Sequence, residues 1–432
     1  MPDKLRAFQI EACRVAAGRR PSGSPAGWAV LNDAEWNQLL RFLDENGLTL
    51  LFRRRADPSG LPVWVQQRLA GDYRNNCERY EAISAQQSLL VDRMAERGIE
   101  VAVLKGIPLA TQLYPDPCDR VQYDLDFYVE PEQLLLAVEA CIELGYQVEP
   151  DQTSDHVSLT PASASEYLWD GDFFRPNIPL KIELHDRLWD SRYHIDLAGV
   201  FASPVMVRSA VAPATAVSLG LKSSQAGRAC STACVLATSN HFLFIQLHFF
   251  RHLFQNQVRL SHLYEAVTLD PADASDALRQ SGILRQIFFV NCSLAARLFG
   301  PELPSHEPPS HERKRVGNPR QCFDFDALAA AHDENRGLPA WVQRWLNGDS
   351  LDDLLSRFRG NKNFVRLQME FSPHRWRVLK SALAVHRLPR LQRVRYHMAQ
   401  SRARRVPIQY LAYTVEKAWE HLHGYARLLL GR

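Results

Sequence analysis

The chain has 432 residues, a hydrophobic fraction of 46%, a charged fraction of 23% and a formal net charge of +3. This length is enough to bury the cores of two or three domains, and the composition is ordinary for a soluble globular protein. The small net charge does not by itself indicate a nucleic-acid partner.

The apolar runs and the cysteines bear on three further classes: secreted, membrane-spanning and zinc-binding proteins. The N-terminus has no apolar stretch of the signal-peptide type, and the most apolar run, residues 242–250, is too short to span a bilayer. None of the eight cysteines forms a CxxC pair, and Cys230 and Cys234 have no second pair to complete a zinc site. We therefore expect free thiols and a cytoplasmic protein with no membrane partner.

The N-terminal part of the chain predicts helices. Residues 1–27 end in GRRPSGSPAG and are expected to have little order. Asn32 or Asp33 can cap a helix that runs to about Glu45, because apolar residues recur there at helical spacing. A second helical stretch spans about 62–97 and ends at a glycine.

Residues 99–190 alternate between strand and helix, which predicts an α+β fold with helices against a mixed sheet. Five prolines in residues 301–320 indicate a linker, and helical patterns flank it. The predicted segments are an N-terminal helical region (1–98), an α+β catalytic core (99–200), a helical region packing on the core (201–300), the linker (301–322) and a helical, basic C-terminal region (323–432).

Asp124 and Asp126 lie one residue apart inside the apolar run YDLDFYV. In a strand, residues i and i+2 project from the same face, so both carboxylates point together while Leu125 and Phe127 point into a core. Two adjacent carboxylates repel unless a cation lies between them, and Mg²⁺, a hard ion with oxygen ligands, suits them. The pattern predicts a metal site; a surface strand with one polar face is the alternative.

Glu183 is the candidate for a third carboxylate. It lies in KIELH between Ile182 and Leu184, and it shares a strand face with Lys181 and His185. Beside the two aspartates it would complete a site that can hold two metal ions. The alternative is a pair between Lys181 and Glu183 on a solvated strand.

The segment VLKGIPLA places Lys105 and Gly106 between a short strand and a helix that Pro108 can open. Glycine lets backbone N–H groups approach a ligand closely, a helix start attracts anions, and a lysine can reach a phosphate. GxxxxGK[ST] is absent, so this is not a Walker A loop. The segment predicts a phosphate-binding turn, with an ordinary strand-to-helix turn as the alternative.

Together these motifs resemble those of an uncharacterised bacterial family with a DNA polymerase β-like, minimal nucleotidyltransferase fold. The shared features are the LKG turn, the loop YPDP at 114–117, Arg120 four positions before an Asp-Leu-Asp strand, and Glu-Leu-His at 183–185. The resemblance covers roughly residues 30–270. The chain departs from better-known nucleotidyltransferases in having Lys-Gly-Ile instead of Gly-Ser in the turn, and it has Glu265 where relatives tend to have Asp.

The resemblance implies a metal-dependent enzyme that moves a nucleoside monophosphate from a nucleoside triphosphate to an acceptor hydroxyl or phosphate. Asp124, Asp126 and Glu183 would be the catalytic and metal-binding residues for Mg²⁺ or Mn²⁺, with Glu183 as the candidate base. The residues expected to contact the nucleotide are Lys105, Gly106, Arg120 and His185. The acceptor can be a small molecule, a peptide, a protein or an RNA.

The alternative function is a non-catalytic nucleotide-binding or interaction module that kept the fold. Residues 374–405 contain ten Lys or Arg and no Asp or Glu, with Trp376 and Tyr396 among them, and such a segment can bind RNA. We favour instead that acidic surface elsewhere balances this segment, because the whole chain carries a charge of only +3.

Overall fold

The chain forms two compact units. One comprises Met1–Asp190, Leu197–Phe250 and Arg259–Gly337, and the other comprises Ser191–Asp196, Arg251–Val258 and Leu338–Arg432. The five predicted segment boundaries stay predictions. The computed structural model describes residues 2–18, 25–149, 156–167, 171–189, 197, 206–209, 233–255, 258–270, 274–300, 338–356 and 362–372.

Four α-helices precede the first strand in the described part of the chain, and the sequence predicts the second and the fourth of them. They are α1 (Pro2–Ala16), α2 (Asp33–Asn46), α3 (Thr49–Arg55) and α4 (Val63–Glu96). The start of α2 is a capping box, because the Asn32 side chain accepts from the Glu35 amide and the Glu35 carboxylate accepts from the Asn32 amide. Gly47, with φ 68°, ends the helix in the left-handed region.

The expectation of little order in residues 1–27 is wrong for most of α1. This helix packs against α3, and Ala12, Cys13 and Ala16 have no exposed surface. The sequence does not predict α3 at all, because seven residues are too few for a helical period to stand out.

A mixed sheet of seven strands forms the centre of the first unit, within the residues that the structure describes. The strands are β1 (Val101–Val103), β2 (Asp124–Val129), β3 (Tyr146–Val148), β4 (Val157–Pro161), β5 (Lys181–His185), β6 (Met206–Ser209) and β7 (Ala233–Leu236). Their order is β3-β4-β5-β2-β1-β7-β6, with the pairs β2–β5 and β1–β7 parallel and the others antiparallel. The predicted α+β class with a mixed sheet is confirmed.

One face of the central strands packs into the core. Leu125 and Phe127 of β2 and Ile182 and Leu184 of β5 are almost fully buried against residues of α4 and of α6 (Leu134–Glu143). Each such side chain contributes roughly 1.5–3 kcal/mol when buried. Because side chains alternate along a strand, this packing turns the intervening residues of β2 and β5 to the opposite face.

Residues 201–300 are not helical throughout, which corrects the prediction for that segment. β6 and β7 lie within it, and β7 joins the sheet beside β1. β7 is a four-residue apolar run next to a long helix, which is ambiguous in sequence, and pairing with a distant strand decides its structure. The remaining helices of this part are α5 (Ile107–Leu113), α7 (Thr238–Gln255), α8 (Leu260–Thr268), α9 (Ser275–Gln280) and α10 (Gly282–Phe299).

The helix α10 is long and apolar enough, by length and composition alone, to cross a membrane. Its 18 residues have a mean hydropathy of 1.2, and 56% of them are buried within the structure. A core helix of a soluble protein passes the same test of length and composition. The expected cytoplasmic location stays a prediction.

The second unit contains the short helices α11 (Ala340–Asn347), α12 (Ser350–Ser356) and α13 (Lys362–Phe371). Trp341 and Trp345 are buried, and Trp345 Nε1 donates to Asp353 Oδ2 over 2.6 Å. The predicted linker at 301–322 and the basic segment at 374–405 lie outside the described residues. The described cysteines are free thiols, as expected.

Candidate active site

Asp124, Asp126 and Glu183 project from one face of the sheet. β2 and β5 are parallel with Asp126 opposite Glu183, and Asp124 shares the face of Asp126 because it lies two residues earlier. One oxygen of each carboxylate lies within 4.8 Å of the others. The predicted convergence of the three carboxylates is confirmed, and their catalytic role stays a prediction.

Two basic side chains, Lys105 and His185, lie among these carboxylates. Lys105 Nζ lies 2.8 Å from Asp126 Oδ1, and the two side chains are only 9% and 1% exposed. His185 Nε2 lies 3.3 Å from the same oxygen and 3.5 Å from Glu183 Oε2. Because a charge removed from water must be paired, these contacts explain how the sheet tolerates a cluster of acids.

Burial and charge pairing have opposite effects on the pKa values of Asp126, Glu183, Lys105 and His185. Burial alone would raise the pKa of Asp126, but Lys105 and His185 hold that pKa below its usual value. Burial would also raise the pKa of Glu183, yet pairing, led by His185, lowers it to about 2. Burial would lower the pKa values of Lys105 and His185, and the carboxylates raise both instead. Pairing of opposite charges therefore favours the ionised forms of these four side chains over the neutral forms that burial favours.

Gly106 allows the turn after β1 to lie against the start of β2. It has φ 70°, a region that other residues rarely adopt, and a Cβ there would collide with the side-chain amide of Gln122. Gln122 Nε2 in turn donates to the Asp124 carbonyl over 2.6 Å. Gly106 therefore allows the turn that carries Lys105 to pack closely against the strand that carries the aspartates.

We expect Gly106→Ala to lower the free energy of unfolding by roughly 1–3 kcal/mol, because alanine strains a left-handed backbone and meets Gln122. Urea unfolding measures the loss. Gly71→Ala is the matched control: Gly71 lies within α4 with open space around its Cα, so alanine should stabilise by up to ~1 kcal/mol. A Gly106→Ala variant as stable as the wild type would contradict this description of the turn.

Arg120 is buried in an ion pair. Its Nε lies 2.8 Å from Glu265 Oε1 of α8, and the Tyr114 hydroxyl donates to the same oxygen over 2.9 Å. The side chains of Arg120 and Glu265 are 7% and 2% exposed. The structure therefore places Arg120 with a carboxylate partner, outside the cluster of Asp124, Asp126 and Glu183.

Glu265→Gln should lower the free energy of unfolding by about 3–5 kcal/mol, because it leaves the Arg120 guanidinium buried without an anion. Tyr114→Phe is the control, since it removes one hydrogen bond to the same oxygen and should cost only about 1 kcal/mol. Urea unfolding of both variants separates the effects. Equal losses of unfolding free energy in the two variants would mean that the negative charge of Glu265 stabilises the fold no more than the Tyr114 hydrogen bond does.

Residues of α4 hold the segment that leads into β2, and the sequence motifs do not reveal them. Asn76 Nδ2 donates to the carbonyls of Cys118 and Arg120 over 2.6 and 3.0 Å. Arg79 Nε donates to the Gln122 carbonyl over 2.7 Å. These contacts fix the backbone just before Asp124.

The loop at 114–117 is held in a similar way by N-terminal helices. Arg54 of α3 pairs with Asp116 over 2.9 Å and also with Asp119. The Tyr73 hydroxyl of α4 donates to Asp116 over 2.6 Å. Lone polar residues on helices form no recognisable pattern, so only the packing of distant segments reveals this support.

His156 is a further neighbour of the cluster that sequence reasoning missed. It immediately precedes β4, in which Ser158 lies opposite Glu183. His156 Nε2 lies 3.7 Å from Glu183 Oε1. In the sequence it is a lone histidine at the start of the segment HVSLT, with no motif around it.

Comparison with protein-family models finds a match over residues 32–293 to a family described as uncharacterised nucleotidyltransferase. The match covers more than half of the chain and includes the three carboxylates of the cluster. Comparison with curated proteins finds no match, and comparison with solved structures finds none.

Proposed function

The chain belongs to the family of uncharacterised nucleotidyltransferases, and from this premise we propose that it moves a nucleoside monophosphate from a nucleoside triphosphate to an acceptor hydroxyl or phosphate with a divalent metal ion. The observation that carries the proposal is the convergence of Asp124, Asp126 and Glu183 within 4.8 Å. Such a cluster costs stability unless it is paired, and costly groups of this kind are typical of functional sites.

The donor set fits Mg²⁺ or Mn²⁺. Carboxylate oxygens are the hard ligands that these ions prefer, and a few protein ligands leave coordination positions for substrate phosphates. The carboxylate oxygens lie within 4.8 Å of one another, so small side-chain rotations would let Asp124, Asp126 and Glu183 bind one ion.

When bound, the ion would neutralise phosphate charge and polarise the oxygen that attacks the α-phosphorus. Lys105 lies against Asp126, so its ammonium group is close to the place where the triphosphate must sit. The Gly106 turn fixes the position of Lys105 relative to the strand that carries the aspartates. Catalysis would then consist mainly of positioning and charge neutralisation.

We propose Glu183 as a metal ligand and not as the base. A general base works best when its pKa lies near the working pH, whereas pairing with His185 outweighs burial and holds the pKa of Glu183 at about 2. His185 and Arg120 are proposed as positioning residues. His185 contacts Asp126 and Glu183, and Arg120 contacts Glu265.

The alternative, a non-catalytic nucleotide-binding or interaction module, differs in one measurable property, since it would bind nucleotide without turning it over. The intact set of three carboxylates favours the enzyme. The acceptor class stays open, and RNA binding through residues 374–405 is not favoured.

The experiment that tests the proposal uses the full chain with Mg²⁺ and each nucleoside triphosphate, labelled at either the α- or the γ-phosphate, in a cell extract that supplies acceptors. Because pyrophosphate is the leaving group, we expect the α-label and not the γ-label in a new product. EDTA should abolish the transfer. A product that carries the γ-label, or bound nucleotide that never reacts, would contradict the proposal.

A further inference from the structure

Two histidines and Glu183 form a second cluster beside the three carboxylates. His156 precedes β4 and His185 ends β5, and these strands are neighbours in the sheet. His156 Nε2 lies 3.7 Å from Glu183 Oε1, and His185 Nε2 lies 3.5 Å from Glu183 Oε2. One ligand atom of each residue lies within 4.8 Å of the other two. The histidines therefore approach different oxygens of one carboxylate.

These distances are long for direct hydrogen bonds. A charge-assisted N–H···O bond spans about 2.7–2.9 Å, and Lys105 makes one of 2.8 Å to Asp126 in the same cluster. Two ligands of a tetrahedral ion, each at ~2.1 Å, lie roughly 3.4 Å apart. The observed 3.5 and 3.7 Å are close to that ligand-to-ligand spacing, so His156, Glu183 and His185 are arranged as ligands of one cation would be.

The donor chemistry of this cluster differs from that of the three carboxylates. Imidazole nitrogen suits borderline transition-metal ions, whereas Mg²⁺ prefers oxygen. Two histidines and one glutamate form a donor set of zinc sites that keep an open coordination position. The His156 side chain is 11% exposed, which gives the site contact with solvent on that side.

We propose that His156, Glu183 and His185 bind a Zn²⁺-like transition-metal ion in a site distinct from the Mg²⁺ site of Asp124, Asp126 and Glu183. Glu183 belongs to both sites, so the occupancy of one is coupled to the affinity of the other. This proposal concerns metal binding alone, and its test does not depend on whether the protein transfers nucleotides.

The test is a titration of the metal-free full chain with Co²⁺, an optical probe for a zinc site, in the absence of nucleotide. We expect a visible absorption band of a low-coordinate cobalt ion, and Zn²⁺ should displace it. His156→Gln should weaken Co²⁺ binding by tenfold or more, since changes around a metal ligand already cost about 10–100-fold. The glutamine can still hydrogen-bond Glu183, so circular dichroism and Tm in EDTA should match the wild type.

His262→Gln is the matched control, because it removes a histidine from a different part of the fold where Co²⁺ could also bind. His262 of α8 lies beside His248, with ring centroids 4.8 Å apart, so this pair is a competing location for cobalt. The proposal predicts that His262→Gln keeps the band. An unchanged band and affinity in His156→Gln, or no band in the wild type with excess Co²⁺, would overturn it.

Discussion

Asp126→Asn is expected to lower the rate of nucleotidyl transfer by about 10³-fold or more. A metal ion contributes several kcal/mol to stabilising the charge of such a transition state, and each 1.36 kcal/mol is a factor of ten in rate. Asparagine keeps the shape of the side chain but removes the anionic ligand. Single-turnover assays with α-labelled nucleotide measure the change.

Asp186→Asn is the matched control for the activity assay. Asp186 follows β5 and its carboxylate pairs with Arg187 over 3.1 Å, outside the acidic cluster. The same chemical substitution there should leave the rate unchanged. An Asp126→Asn variant with wild-type activity would exclude the metal-dependent mechanism.

The structure also changes what this substitution should do to stability. From the sequence alone, removing one of several adjacent carboxylates is expected to relieve repulsion and leave the metal-free protein as stable or more so. Asp126 instead is the anionic partner of buried Lys105 and a neighbour of His185. The loss of that partner should therefore lower the Tm of the metal-free protein, which differential scanning calorimetry measures.

Lys105→Met should lower the free energy of unfolding of the metal-free protein by about 3–5 kcal/mol, because it leaves buried carboxylates with one fewer cation. Added Mg²⁺ should restore part of this loss, since a ligand that binds only the folded state stabilises it. Urea unfolding with EDTA or with Mg²⁺ measures both effects.

Lys181→Met is the matched control. Lys181 lies on β5 opposite Asp124, but its side chain is 52% exposed and pairs with Glu149 near the surface. An exposed pair contributes at most ~1 kcal/mol, so this variant should lose little and respond less to Mg²⁺. Equal losses at Lys105 and Lys181 would show that burial of the cluster does not determine its energetics.

Local pattern was sufficient for the helices α2 and α4 and for the two aspartates. The capping residues of α2 and the alternation of β2 are properties of a few adjacent residues, and the sequence predicts them directly. β7 was missed because its structure depends on pairing with β1, far away in the chain. α1 was missed because a loop-like segment follows it.

The same contrast between local sequence pattern and tertiary packing applies to the residues of the candidate site. The period of a strand places Asp124 and Asp126 together, but the position of Glu183 beside them depends on the register of two strands that are distant in sequence. The family resemblance supplied that pairing before the structure did. His156, Asn76 and Arg79 had no motif, and only tertiary packing brings them to the site.

The central claim is that Asp124, Asp126 and Glu183 together hold the metal ion that accompanies a nucleoside triphosphate. The most direct measurement is a crystal structure of the full chain with Mn²⁺ and a non-hydrolysable nucleoside triphosphate, in which anomalous scattering locates the metal. The account predicts an anomalous peak bonded to all three carboxylates and to phosphate oxygens, with Lys105 turned toward the triphosphate. Manganese and nucleotide bound elsewhere, with Lys105 still paired to Asp126, would contradict it.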